Sequence, residues 1–426
     1  MHFWDVAYAH ILRIRMLNRY QIAGEQVDSL DLKALVITRG VRVSREIYQR
    51  FGATHRIHPN PQHCNCLILP DGTIVQMTDL ALHMRYLKKA ILLEALRNFK
   101  HVMRLQTPFS LEVSPEGHPV LLYNDTFVTQ VSLPPASRFY AQKTSSGLPF
   151  LGNAVLQGVD FLSFPCLWPC DFARTGNACQ FCYSGGMAER LAKNKQPDPP
   201  VPTPLDVAEI TDFAVNKEGA ARHIQITGGS TLNTQAECRV IAGYLHEMDR
   251  VVGLKNISGE ILLYTTPPSN PAEVDQLFDA GADRIACSLE VWDEELAKMI
   301  TPGKAKFTGR KRHVDCLTYI ANKYGPNKAC SSFVVGVEPA ESFLAGAGYL
   351  AQRGIVPIAS IWIPFGRPVM GKMEAPGLDY YRRVKEGLAA IYEKYHIEPP
   401  GSCGLNVCLC RDAWNHRQEI NAKIGG

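Results

Sequence analysis

Four of the chain's 13 cysteines, Cys166, Cys170, Cys179 and Cys182, fall within 17 residues. Thiolates are preferred ligands of soft metals and iron–sulfur clusters, and short spacings let one loop supply several without a large closure entropy. The spacing discriminates between metals. Structural zinc usually takes two well-separated pairs, whereas here the tight pair is Cys179 and Cys182, with eight residues between Cys170 and Cys179. Three clustered thiolates with an aromatic neighbour, Phe181, suit a four-iron cluster with one iron left open. Cys166 precedes Cys170 by a three-residue gap and has two readings, an alternative first ligand or a small buried hydrophobe ahead of the loop. The competing reading of the whole loop is a closed four-cysteine zinc or rubredoxin-like knot.

The loop follows an apolar run, Phe161-Leu162-Ser163-Phe164, that reads as a strand. From Gly158 onward strands alternate with helices. Further strands are expected at His223–Ile226, Ile261–Tyr264, Arg284–Ser288, Phe333–Val337 and Ile355–Ile363. Helices are expected at Pro204–Lys217, Thr234–Met248, Pro271–Ala280, Arg312–Lys323, Ala340–Ala351 and Leu378–Tyr395. Right-handed crossovers make this an α/β chain with a parallel sheet and outer helices, and six such units are too few for a closed eight-stranded barrel. Chemistry then belongs on the loops after the strands' carboxyl ends. The cysteines follow the first strand. Gly228 and Gly229 follow the second, where glycine lets backbone approach a ligand closely. Ser269 or Asn270 reads as a helix cap after the third. Glu290 ends the fourth, where a buried carboxylate needs a hydrogen-bonding partner. Gly336 and Glu338 end the fifth.

In this order the features resemble the radical S-adenosylmethionine (SAM) superfamily, whose cysteine motif ends in Cys-x-aromatic-Cys, here Cys179-Gln180-Phe181-Cys182. The family's commonest first gap is three residues; Thr175-Gly176-Asn177 with Cys179, Cys182 and Gly185-Gly186 is more similar to the widened loop of Elongator's catalytic subunit. The Leu289-Glu290 stretch resembles the biotin-synthase, HydE-like and tryptophan-lyase branches. The resemblance implies a partial (β/α)6 barrel and a [4Fe–4S] cluster on Cys170, Cys179 and Cys182. It also implies reductive cleavage of SAM to a 5′-deoxyadenosyl radical that abstracts hydrogen from an organic substrate. By the same resemblance Phe181 lies by the adenine, Gly228 and Gly229 contact the SAM amino group, and Glu290 contacts SAM. Arg310, ahead of Lys304, faces the carboxylate, and Gly336 allows the adenine's approach. A small-molecule substrate and an electron donor such as flavodoxin or ferredoxin are expected. An RNA-modifying enzyme is the alternative, and a zinc-stabilised binding protein the other.

Residues 1–150 read as an amino-terminal α+β module, 151–395 as the partial barrel and 396–426 as a cysteine-containing tail. Within the module a rough amphipathic helix is expected from Phe3 to about Gln21, a hairpin around Pro70-Asp71-Gly72, and a helix from Asp79 to Lys100. Ser145-Ser146-Gly147 reads as the linker. Cys64 and Cys66, near His55, His58 and His63, form either a metal cluster or an ordinary loop. Cys403, Cys408 and Cys410 suggest a second iron–sulfur cluster, although alternation about Leu409 would turn the last two to opposite faces of a strand. Among 426 residues, 46% are hydrophobic and 20% charged, and no apolar run is long enough to span a bilayer. Met1-His2-Phe3-Trp4-Asp5 lacks the order of a signal peptide, so the cytoplasm is expected, with thiols rather than disulfides. A formal charge of +4 permits an anionic substrate and does not indicate a nucleic-acid surface.

Overall fold

The computed structural model describes residues 16–60, 63–77, 107–182, 185, 188, 191–197, 200–363, 370, 374–401 and 407–424. The helix expected over Asp79–Lys100 lies outside them. Residues 3–15 of the other expected amino-terminal helix also lie outside them, and its expected end is a strand instead, because Arg19–Ile22 (β1) pairs antiparallel with Glu25–Asp28 (β2). The two-residue turn Ala23-Gly24 joins them, both with positive φ, as a tight hairpin twisted like its strands requires. Asp28 then caps Ser29–Arg39 (α1), accepting from the backbone of Leu30 and Asp31, and Gly40 ends it. Arg42–Val43 (β3) and Arg45–Phe51 (α2) follow. Cys66–Ile68 (β4) and Ile74–Gln76 (β5) form the expected hairpin. Phe109–Val113 (β6), Pro119–Tyr123 (β7) and Thr126–Gln130 (β8) complete a four-stranded sheet in the order β3-β6-β7-β8.

The larger sheet runs in simple sequence order. Val155–Gln157 (β9) forms one antiparallel edge. Phe161–Phe164 (β10), antiparallel to β9, is followed by His223–Ile226 (β11), Ile261–Tyr264 (β12), Arg284–Ala286 (β13), Ala329–Val335 (β14) and Val356–Ile361 (β15), each of these five parallel to the one before. Adding every new parallel strand on the same side curls the sheet, and six strands close it only part-way, giving a half-barrel. Pro357 is tolerated in β15 because that strand is the sheet's last. The chain's tail returns to cover this edge: Ile361 donates to Val407 O at 2.9 Å and Leu409 to Ala359 O at 2.9 Å.

The helices begin where local chemistry favours it. Asp171–Arg174 (α3) is a single turn in the cysteine loop. Pro204–Asp212 (α4) starts with a capping box, Thr203 and Asp206, and has Pro204 in its first turn. Thr234–Val252 (α5) is capped by Asn233, and Pro271–Asp279 (α6) by Asn270, one of the two residues expected for it. Glu294–Ile300 (α7), Pro302–Phe307 (α8) and Gly309–Tyr324 (α9) come between β13 and β14. Ala340–Ala351 (α10), Leu378–Tyr395 (α11), Cys410–Asn415 (α12) and Arg417–Ile424 (α13) complete the set.

One continuous apolar core runs from Leu32 and Val36 of α1 through the sheet to Tyr392 of α11. Buried ion pairs tie the amino-terminal module to α11 and to the tail: Lys385 Nζ reaches Asp28 at 2.8 Å and Asp31 at 2.6 Å, and Lys33 reaches Asp412 at 2.6 Å. Ser145 and Ser146, expected as linker, are pinned to α4. The Ser145 amide donates to Glu209 at 2.7 Å and the Ser146 hydroxyl to Asp206 at 2.6 Å. Among the described residues no helix is long and apolar enough to cross a membrane.

Candidate metal centre

The cysteine loop leaves β10 at the carboxyl end of the sheet. Cys170 caps α3, its Sγ accepting the Ala173 amide at 3.4 Å, and Gly176, at φ +78°, turns the chain back after that helix. Cys179 and Cys182 close a turn through the Cys182 amide and the Cys179 carbonyl at 3.1 Å, and Cys182 Sγ accepts the Gly185 amide at 3.2 Å. Amide-to-sulfur hydrogen bonds of this kind favour the thiolate and tune a bound metal. Cys166 is exposed and its thiol donates to the Trp168 carbonyl at 3.3 Å.

The loop is braced on both sides. Toward β11, Leu167 donates to Thr227 O at 3.0 Å, Gly229 to Trp168 O at 2.9 Å and Asp171 to Ser230 O at 2.8 Å. The Trp168 indole donates to Gly229 O at 2.6 Å, and the Asp171 carboxylate accepts from Thr231 Oγ1 and the Leu232 amide, each at 3.0 Å. Glycine is required at both positions of the Gly228-Gly229 pair. A Cβ on Gly228 would lie 2.0 Å from the Trp168 ring, and one on Gly229 would lie 2.3 Å from Cys170 N and Cα. At these two positions the backbone thus lies close against the cysteine loop. Toward α7 and α8, Gln180 donates to Ile300 O at 2.8 Å and Gly303 to Asn177 O at 3.0 Å, while the Phe172 and Phe307 rings pack with centroids 5.0 Å apart.

A buried ion pair shares this mouth. Lys304 Nζ donates to Glu290 Oε1 at 2.8 Å and to the Ser288 carbonyl at 2.7 Å, both side chains being 16% exposed. Glu290 holds its carboxylate there from a left-handed backbone, φ +68°, unusual for a residue with a side chain. Bonds to β14 on either side, Glu290 to Ser332 O and Val334 to Glu290 O, each 2.9 Å, fix it. Burial pushes the Cys179 thiol up, Lys304 pulls it down, and Cys182, Glu290 and Cys170 push it up again. Burial raises Cys182 too, against the Gly185 amide, with Cys170 and Glu290 adding to the rise. For Lys304 burial opposes the charge, yet Glu290 and the Cys179 and Cys182 thiols raise it above the ordinary lysine range. Cys179, Cys182 and Lys304 thus lie within electrostatic reach of Glu290 at one barrel mouth, and both thiols within reach of Cys170.

Residues 173–339 match the family described as the radical SAM superfamily. They are a radical SAM domain. The match takes in Cys179 and Cys182 and begins just after Cys170. The chain is similar to the bacteriochlorophyllide c C-7(1)-hydroxylase of Chlorobaculum limnaeum, 24% identical over 312 residues, 68% of this chain and 74% of that protein. With that domain and such a relative, the chain is an enzyme. Among solved structures it is similar to a radical SAM methyltransferase from Sphaerobacter thermophilus, at 14% identity and TM-score 0.39, over 78% of this chain and 88% of that one. It is also similar to coproporphyrinogen III oxidase of Escherichia coli, at 15% identity and TM-score 0.33, over 56% of this chain and 53% of that one. A third is the methyltransferase TsrM of Kitasatospora setae, at 13% identity and TM-score 0.32, over 61% and 48%.

The remaining expected residues of the radical SAM domain separate. Phe181 packs at the mouth against a cluster of Val291, Ile300, Val334, Val337, Trp362 and Met370. Gly336, at φ +107°, donates its amide to Tyr380 Oη at 2.8 Å, and a Cβ there would lie 2.9 Å from Tyr381 Oη. Arg310 is engaged away from the thiols: its guanidinium lies 4.2 Å from the centre of the Trp292 ring and donates to the Trp292 carbonyl at 2.6 Å. Glu338, raised by burial, accepts from the Trp292 and Asp293 amides at 2.9 Å each and so fastens the loop after β13 to the end of β14.

Inside the half-barrel, parity identifies the inner face. Phe333 packs edge-on against Phe343 of α10, so its neighbour Ser332 faces inward, where it meets Tyr264 Oη at 3.1 Å. Ser360, two residues after Ile358 on β15, pairs with Cys408 Sγ at 3.3 Å. Cys403 lies outside the described residues, Cys408 sits in the tail segment against β15, and Cys410 opens α12. Among the described residues no three His, Cys, Asp or Glu side chains gather as they would around a single metal ion. Ligands of a four-iron cluster sit at separate corners and are not gathered in that way.

Proposed function

We propose that Cys170, Cys179 and Cys182 hold the [4Fe–4S] cluster that a radical SAM domain implies, and that SAM binds beside it at the mouth shared with Glu290 and Lys304. The observation that carries this reading is that one loop presents Cys170, Cys179 and Cys182 after the carboxyl end of β10, beside the buried Lys304–Glu290 pair whose charges act on Cys179 and Cys182. When bound, the cluster supplies the electron that cleaves the SAM sulfonium to methionine and a 5′-deoxyadenosyl radical, which abstracts hydrogen from an organic substrate. The chain's own residues hold and exclude. The Ala173 and Gly185 amides donate to the sulfurs of Cys170 and Cys182, and the Lys304 ammonium would offset the negative charge of the ligand set. Glu290, held by Lys304, keeps a carboxylate at hand for a hydroxyl or ammonium of SAM. The apolar cluster around Phe181 keeps water from the mouth. Gly228 and Gly229 serve by letting Trp168 and Cys170 seat against β11.

The substrate, in this reading, is a small organic molecule that enters the half-barrel over Tyr264, Ser332 and Ser360, and a flavodoxin or ferredoxin supplies the electron. The hydroxylase of Chlorobaculum limnaeum makes a tetrapyrrole the first substrate to try. The deciding experiment is anaerobic reconstitution with iron and sulfide, reduction in the presence of SAM, and assay for 5′-deoxyadenosine. Uptake of iron as a four-iron cluster and formation of 5′-deoxyadenosine are expected, both lost in Cys179→Ala. Iron uptake with SAM left intact across tetrapyrrole, other small-molecule and RNA arms defeats the proposal.

A further inference from the structure

A buried charge in the amino-terminal module has no counter-charge among the described residues. Arg56, just after α2, is 7% exposed, and its guanidinium Nε and Nη2 have no hydrogen-bond partner among the described residues. Buried polar atoms are normally satisfied, and a buried cation is costly unless it is paired.

The surroundings are organised, and they offer Arg56 no negative group among the side chains it acts on. The His58 and His63 rings stack at 4.0 Å, and His63 packs on Tyr140 at 4.3 Å. The Asn65 side chain clamps His58, accepting its amide at 3.0 Å and donating to its carbonyl at 2.7 Å. Cys64 adopts a left-handed backbone, φ +49°, and the Cys66 thiol donates to Gly158 O at 3.7 Å. The Arg56 charge acts on His63, Cys64, Cys66 and Tyr140 alike. Burial nevertheless pushes Cys64 up to about 12 and Cys66 up to about 11, and holds His63 down to about 4. None of these groups is ionised near neutral pH, so none supplies the missing negative charge, and the guanidinium disfavours a metal cation there. Gly158 lies before β10 and the cysteine loop after it. Cys66 thus sits toward the opposite end of that strand from the candidate metal centre.

We propose that the Arg56 pocket is a second ligand site, which takes a compact oxyanion, a carboxylate or phosphate group, on the guanidinium fork. A planar fork with two open donors matches such a group bidentately, and the anion would supply the charge the pocket lacks.

Calorimetric titration of the full chain with sodium phosphate and with sodium acetate, without SAM and at ionic strength matched by chloride, tests it. Saturable binding in one arm is expected, and the arm that responds tells phosphate from carboxylate. Arg56→Met should weaken binding by roughly tenfold or more, as loss of charge-assisted hydrogen bonds does. Arg56→Lys, which keeps the charge without the fork, should fall between, and both should leave 5′-deoxyadenosine formation unchanged. No saturable binding by the wild type overturns the proposal, as does full binding by Arg56→Lys and Arg56→Met. Should Arg56→Met fail to fold, the wild-type titration and Arg56→Lys still decide.

Discussion

Replacing Gly229 by alanine tests whether the cysteine loop is positioned by its contact with the end of β11. The added Cβ would stand 2.3 Å from Cys170 N and Cα, where ordinary contact begins near 3.4 Å. The obstacle is backbone, so no side-chain rotation relieves it, and the Cys170 segment must move by about 1 Å. The Gly229 amide bond to Trp168 O and the indole bond to Gly229 O lie on the same contact and would be strained with it. A displacement of this size at a reacting centre typically costs on the order of 10²-fold in rate. The assay is iron and sulfide content after anaerobic reconstitution, followed by the rate of 5′-deoxyadenosine formation under reduction. Gly229→Ala should lose cluster or cleave SAM on the order of 10²-fold more slowly while keeping its circular dichroism. Gly348→Ala on the outer helix α10 is the control, since a Cβ there meets nothing within 4 Å. If Gly229→Ala takes up iron and cleaves SAM as the wild type does, the loop is not positioned by this contact.

Lys304→Met leaves the Glu290 carboxylate buried without its partner and should cost about 3 kcal/mol in urea unfolding; adding Glu290→Gln should recover part of that loss, and additive losses would mean the two are not coupled. Bonds from Ser146, Thr144 and Thr203 outweigh burial and hold the Asp206 carboxyl down to about 2. Its folded value is thus below the unfolded one, so its contribution of about 2 kcal/mol is present above pH 4 and lost as pH falls toward 2. Asp206→Asn should be destabilised by that amount near neutral pH and hardly at all in acid, which melts across pH would show. Glu237 goes the other way, because burial pushes it up to about 8 against the bonds from Thr266. Its protonated form favours folding below pH 4.5, and stability falls by up to about 1.4 kcal/mol per pH unit as pH rises toward 8. Glu237→Gln should remove that decline and melt above the wild type near pH 8; an unchanged slope would show that Glu237 does not cause it.

Much of the barrel could be read from sequence because the period itself carries it: apolar strands of three to seven residues between amphipathic helices, with Asn270-Pro271 and Pro204 marking helix starts. The hairpin at Pro70-Asp71-Gly72 was legible for the same local reason. What failed depended on pairing partners that sequence does not reveal. Arg19–Ile22 has no strand signal strong enough to interrupt a helical reading, and only pairing with Glu25–Asp28 across Ala23-Gly24, a weak turn pair, makes it a strand. Ser145 and Ser146 look like linker by composition but serve as donors to Asp206 and Glu209.

The position of Lys304 shows how much a single approach can decide. Sequence offers Lys304, Arg310, Lys311 and Arg312 within nine residues, and fork geometry alone favours an arginine. Packing favours the lysine, because α8 is drawn onto the cysteine loop where Gly303 meets the Asn177 carbonyl; a Cβ there would lie 2.6 Å from that oxygen. With α8 seated, Lys304 turns toward Glu290 and the thiols, whereas Arg310, on the next helix, is carried outward onto Trp292. The glycine before the lysine was the available signal, meaningful once the cysteine loop is known to be its neighbour. The tail obeys the same logic. Alternation around Leu409 predicts opposite faces for Cys408 and Cys410 only if both lie in a strand. The strand pairing with β15 ends at Leu409, and Cys410 already belongs to a helix, so the two thiols follow different periods.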